Sequence, residues 1–203
     1  MQSRLSLLAF LALVAVSTSA QDQQTEGYVV HPNQEVRVAS LPSVVADSSS
    51  DTSVLAASVA IAVGDPAICC ERNSTLVDQV GSVTNFSLRE LGEKVRGKHY
   101  LDSGNSITIT DQYWPASGTS PEQIVGALLA QRPLLMLWND RLFVVYGAVF
   151  NEYVYDSGAR TRAIQKLLLL DTRFDDDRRR VTFDRQTDDW GKVSGLLALT
   201  ITK

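Results

Sequence analysis

Apolar positions along the chain change their period near Pro133. Upstream they recur at helical spacing, and downstream they gather into short runs separated by turn residues. Ser87 with Glu90 three positions on forms a capping-box pattern, and Leu88, Leu91 and Val95 follow on one face before Gly97 stops the helix. Ser120-Pro121-Glu122-Gln123 repeats that start signal with proline in the first turn, and Ile124, Val125, Leu128 and Leu129 follow it. The apolar stretch "DTSVLAASVAIAV" opens near Asp51 with an N-cap candidate and closes at Gly64-Asp65-Pro66, which predicts a helix in preference to a strand. A further helix is expected just after Cys70, running through Leu76 and Val80.

The second half reads as five strands: "PLLMLW", "LFVVYGAVF", "IQKLLLLD", "VTFD" and "GLLALTIT". They are separated by Asn139-Asp140-Arg141, "YDSGAR" and "DDDRRR", and short polar turns of this kind predict an antiparallel meander. Several runs are apolar on both faces, so the sheet should carry helices on one face and a further layer or partner on the other. The expected fold class is α+β, with N-terminal helices followed by an antiparallel sheet.

The N-terminus adds a compartment. Arg4, an apolar run from Leu5 to Val16 and the small residues Ser17-Thr18-Ser19-Ala20 have the three-part layout of a secretory signal over residues 1–20. Its apolar run is too short to span a bilayer, and no comparable segment follows. An exported domain, periplasmic or extracellular, is therefore expected, with no membrane insertion once the signal is removed. Residues 21–50 are polar and irregular and read as a flexible arm or linker, which leaves residues 51–203 as one α+β domain. The chain's formal net charge of −4 at pH 7 falls by one more unit with Arg4, a balance that argues against nucleic acid and anionic membranes as partners.

Candidate chemistry is sparse. Cys69 and Cys70 are the two cysteines, and adjacent cysteines rarely bridge each other because the intervening peptide must distort. A strained vicinal disulfide, an intermolecular bridge and protected thiols remain open. The two histidines, His31 and His99, do not complete a metal-ligand spacing with them, and no phosphate loop or GxSxG motif occurs, so neither metal nor cofactor is called for.

A cysteine at the start of a helix, then "ALLAQRPLLMLW", then a strand ending in "VVYGA", then "LLLLD" resembles the papain-like cysteine peptidases, in particular the double-glycine leader peptidases. The likeness spans roughly residues 65–175. It implies a papain-like α+β domain in which Cys70, or its neighbour Cys69, takes the nucleophile position at a helix N-terminus that favours the thiolate. It places Asp171 as the carboxylate that orients a base, although Thr172 stands where the family usually has proline. The catalytic histidine position falls on Leu142, or on Arg141 if the register slips by one, and neither accepts a proton from a thiol.

Each of these residues also has a plain reading. The cysteines serve as buried small hydrophobes, Asp171 caps a turn, and His99 sits on the surface at a helix end, while "DDDRRR", residues 175–180, suggests calcium or phosphate binding by its charges but reads more simply as a solvated turn. Trp114, Trp138, Trp190 and Tyr113 pack in the core, or line a cleft. The loss at residue 142 implies a catalytically degenerate domain that binds a peptide or protein segment. The alternative is an active cysteine peptidase using Cys70 with a non-standard base such as His99.

Overall fold

The computed structural model describes residues 27–47, 50–65, 80–81, 87–100, 105–175 and 177–202. In chain order these form β1 (Tyr28–Arg37), α1 (Asp51–Val63), α2 (Leu88–Val95), β2 (Gly97–Tyr100), β3 (Ser106–Pro115) and α3 (Pro121–Leu129). Then come β4 (Leu134–Trp138), β5 (Arg141–Tyr155), β6 (Arg160–Leu170), β7 (Arg180–Asp184) and β8 (Val193–Thr202). The class is α+β, as expected: the described residues contain three helices and a single antiparallel sheet of eight strands. The helices are interspersed among the strands rather than gathered before them, because β1 precedes α1 and α3 follows β3.

Strands β4 to β7 are the meander that the turn residues predict. The Asn139-Asp140 turn has φ of 50° and 56°, the left-handed pair that a tight two-residue hairpin requires. The last apolar run does not extend the meander. β8 crosses back to lie between β3 and β4, in the order β2-β3-β8-β4-β5-β6-β7. Its side chains Leu196 to Leu199 are all buried, and a strand apolar on both faces is stable only in the interior of a sheet with both faces covered. The short, more polar β7 takes the edge instead.

Residues 28–37 correct the expectation of an irregular arm. They pair with β5 in antiparallel register, from Tyr28 opposite Tyr155 to Arg37 opposite Gly147. β4 uses only residues 141–145 of β5, so the remaining two-thirds of that long strand has an unfilled edge, and β1 fills it with backbone hydrogen bonds. Among its side chains Val36 alone is buried, which is why hydropathy gives no sign of the strand. A bulge between His31 and Gln34 surrounds Pro32, where a missing N–H costs nothing to the ladder.

Both faces of the sheet are covered. α1 and α2 pack on one face against Leu135, Leu137, Leu142, Val144, Leu170 and Leu197. α3 packs on the other, against Leu134, Met136, Phe150, Leu167 and Leu196. α1 is buried along its length from Val54 to Val63, and an apolar circumference of this kind suits a helix enclosed on all sides. Ser50 caps it by accepting the Ser53 N–H, one residue before the predicted cap, and Gly64 ends it in the left-handed region at φ 73°. Ser58 is satisfied inside the core, where its Oγ donates to the Val54 carbonyl at 2.7 Å. At α2 the Ser87 side chain accepts the Glu90 N–H, and at α3 both bonds of the Ser120–Gln123 capping box form. The helix predicted from Cys70 to Val80 falls almost entirely outside the described residues, though Val80 itself is buried.

Ile61 is fully buried between α1 and the sheet. Ile61→Ala should therefore cost about 2–4 kcal/mol in urea unfolding with little change in slope, against about 1 kcal/mol for Ser120→Ala at the α3 cap. At the end of β7, the Gln186 N–H bonds the Asp184 carboxylate at 2.9 Å, and with Lys166 it holds that group below its usual 3.8 against the opposing effect of burial. A depressed carboxyl contributes stability that is complete above its unfolded pKa and is lost as pH falls through the folded one. Asp184→Asn should thus flatten the acid limb of the stability profile below about pH 4, measured by urea titration across pH.

Candidate functional site

Three short-range rules assemble the site. The two-residue turn at 139–140 sets Trp138 directly opposite Arg141 in the β4–β5 ladder. Alternation along β5 then sends Leu142 to the α1 face, opposite Leu137, and Phe143 to the other face. β6 ends at Leu170, so Asp171 is the first residue of the loop that leads to β7, and its N–H donates to the Arg179 carbonyl at 2.8 Å.

Asp171 is 1% exposed and its carboxylate is fully engaged. Oδ2 accepts from Arg141 Nη2 at 2.6 Å and Arg173 Nη2 at 3.2 Å, and Oδ1 accepts from Arg173 Nε at 2.9 Å and the Arg173 N–H at 3.2 Å. The fork from Arg173 is the bidentate geometry that suits guanidinium to carboxylate. Asp171 therefore caps its own turn and pairs with two cations at once. Buried beside it, Thr172 gives its carbonyl to the Ala46 N–H at 2.8 Å and places its Oγ1 3.1 Å from Ser58 of α1. The start of α1 is tied in this way to the end of β6.

Around the ion pair lies a cleft of about 350 Å³, with walls from Trp138, Phe143, Phe174 and Val181 and polar groups from Asn139, Arg141 and Arg178. The Arg141 guanidinium lies 5.5 Å from the Phe143 ring and Arg178 lies 4.8 Å from Phe174, so aromatic faces hold both cations. A second cleft, of about 270 Å³, opens on the same face between Ile124, Ile164, Arg185 and Trp190. Phe183 joins the two: its ring centroid is 5.0 Å from Trp138 and 5.7 Å from Trp190. Trp190 is held by its Nε1–H on the Ala116 carbonyl at 3.2 Å, with Arg185 over its face at 4.6 Å.

The residues singled out from sequence separate into three places. Cys69 and Cys70 lie outside the described residues. Leu142 is buried in the α1-facing core, whereas Arg141, the alternative for the histidine position, is the residue that meets Asp171. His99 is a buried residue of β2 rather than a surface one. Val95 ends a helix one turn upstream, and its carbonyl draws the His99 ring inward, Nε2 to oxygen 2.7 Å; Nδ1 has no partner among the described residues. Of the four aromatics, Trp138 and Trp190 line clefts, Trp114 is buried in the core, and Tyr113 donates its hydroxyl to the Ser194 carbonyl at 3.2 Å.

Arg173 and Phe174 escaped the sequence reading, and Arg178 entered it only within "DDDRRR". They sit in an irregular loop with no period to read, although alternation from the Asn139-Asp140 turn already pairs Trp138 with Arg141 and sets Phe143 on their face. Among the described residues no three histidine, cysteine or acidic side chains come together as metal ligands. Comparison with known proteins finds no matching family model, curated protein or solved structure.

Replacing Asp171 by asparagine keeps the turn-capping shape and removes the charge between Arg141 and Arg173. The loss should be about 3 kcal/mol in urea unfolding, because it leaves a buried site with two uncompensated cations. Arg141→Met removes only a half-exposed partner and should cost less than half of that, since solvent already screens its charge.

Proposed function

We propose that the chain is an exported, catalytically degenerate papain-like domain that binds a peptide or protein segment. The observation that carries this reading is the Arg141–Asp171 ion pair. The resemblance places an imidazole on β5 beside an orienting carboxylate, and this chain has a guanidinium there at 2.6 Å. Arginine stays protonated at any physiological pH, so it can neither take a proton from a thiol nor return one to a leaving amine. Leu142, at the adjacent position, is sealed in the core. His99, the base considered in its stead, is also buried and spends Nε2 on a backbone carbonyl.

What the face retains suits binding. Two clefts joined by the Trp138–Phe183–Trp190 chain of rings offer successive apolar subsites along one face, and Arg141 and Arg185 place donors at them. Extended peptides are recognised by such alternating side-chain pockets. Residues 1–20 support an exported location by their signal-like layout, and among the described residues no helix is long and apolar enough to cross a membrane.

Selection of the mature protein against a random peptide display library tests the proposal. Selected peptides should bind the wild type and lose about tenfold or more in affinity to Phe174→Ala and Trp190→Ala, two changes of the kind that mark interface anchors. Thiol-dependent cleavage of peptide substrates that disappears in Cys70→Ala would overturn the degenerate reading and favour an active peptidase.

A further inference from the structure

The opposite side of the sheet edge holds a charge imbalance that peptide binding does not use. Arg37, Arg96, Arg141, Arg160, Arg162 and Arg173 each have a carboxylate within 4.0 Å. Arg179 and Arg180, at the start of β7, have none among the described residues, although they are neighbours in the chain and repel each other. Arg179 is half-buried, and its Nε is enclosed without an acceptor among the described residues. Burial, with Arg180 beside it, pushes the Arg179 guanidinium below its usual pKa against the opposing pull of Asp175. A partly desolvated cation with no carboxylate within 4.0 Å among the described residues is costly to maintain, and a donor enclosed without an acceptor adds to the cost.

Both arginines line a cleft of about 200 Å³ closed by Leu41, Pro42, Ser43, Tyr146 and Leu170. The Ser43 and Tyr146 hydroxyls make no hydrogen bond among the described residues, so two neutral donors stand beside two charged ones. Tyr146 and Leu170 belong to the α1 side of the sheet, so this cleft lies across the sheet from the aromatic groove and does not depend on it.

We infer that Arg179, Arg180, Ser43 and Tyr146 form a binding site for a phosphate dianion, free or as the terminal monoester of a small molecule. A dianion balances both guanidiniums, whereas a carboxylate would leave one uncompensated. Its several acceptor oxygens match two planar guanidinium forks and two hydroxyls. A water molecule's share of liquid volume is about 30 Å³, so the cleft holds a phosphate group and a few further atoms. The Arg179 carbonyl accepts the Asp171 N–H, so an anion on Arg179 also steadies the loop that carries Arg173, Phe174 and Arg178.

The test is isothermal titration of the mature protein with inorganic phosphate and, separately, glycerol 3-phosphate, at pH 7.5 and constant ionic strength set with chloride. Wild type should bind phosphate saturably at one site. Arg179→Gln and Arg180→Gln should each weaken binding about tenfold or more, and Tyr146→Phe less, with circular dichroism unchanged. Arg180 is exposed, so its variant keeps the test decisive if Arg179→Gln folds poorly. Tighter binding of the ester supports a phosphorylated small molecule as occupant, and equal binding supports free phosphate. Absence of saturable binding to either probe, or equal affinity in both glutamine variants and wild type, would overturn the site.

Discussion

The architecture depends on one strand being longer than its neighbours. β5 runs for 15 residues, and its partner β4 for five, so a single backbone must find pairing for an edge that its hairpin leaves open. An unpaired row of amide and carbonyl groups is both costly where enclosed and prone to association where exposed. The chain meets that demand with β1, recruited from more than one hundred residues upstream in the register Tyr28 to Tyr155. Strand pairing of this kind does not ask for apolar side chains. It fixes the N-terminal segment to the sheet and so sets where the chain begins its path toward α1.

From that point α1 has one place to go. A helix buried around its whole circumference must be covered by the sheet and by the segments beside it, and Val44, Ala46 and Val80 join the same core. The bond from Ala46 to the Thr172 carbonyl and the contact from Ser58 to Thr172 join α1 and the segment before it to the end of β6. The region around Asp171 is held from both sides: by α1 through Thr172, and by the hairpin through Arg141. A loop with little regular structure keeps a defined shape because its first two residues are among the most buried polar groups in the protein.

Legibility in the sequence follows the type of force involved. Helix starts were readable because capping is local: Ser87, Ser120 and their partners lie within three residues of each other. The β4–β5 and β5–β6 hairpins were readable for the same reason. β8 was misplaced because adjacency in sequence is only a tendency, and the competing rule, that a doubly apolar strand belongs in the middle, outweighs it. β1 was missed because backbone pairing leaves no hydropathic trace. The Asp171 site was half legible: its carboxylate and Arg141 stood out through a resemblance. The bidentate contribution of Arg173 comes from a turn whose shape is set by the carboxylate itself.

The same residues explain why orientation of a base and neutralisation by a cation are separate uses of one geometry. A carboxylate that orients an imidazole must leave one oxygen's hydrogen-bonding capacity for a ring N–H and must tolerate a proton moving nearby. Asp171 has neither freedom. Both of its oxygens are committed, one to Arg141 and Arg173 together and the other to Arg173 twice, and both cations keep their charge through any physiological pH change. Inserting a histidine at position 141 alone would thus not recreate a catalytic pair, because Arg173 would still hold the carboxylate from the other side. The bidentate arginine is the stronger commitment of the two, with its side chain only a quarter exposed against about half for Arg141. The local electrostatics of this edge hold the loop after β6 in one shape, a geometry compatible with the binding proposed for the neighbouring aromatic groove.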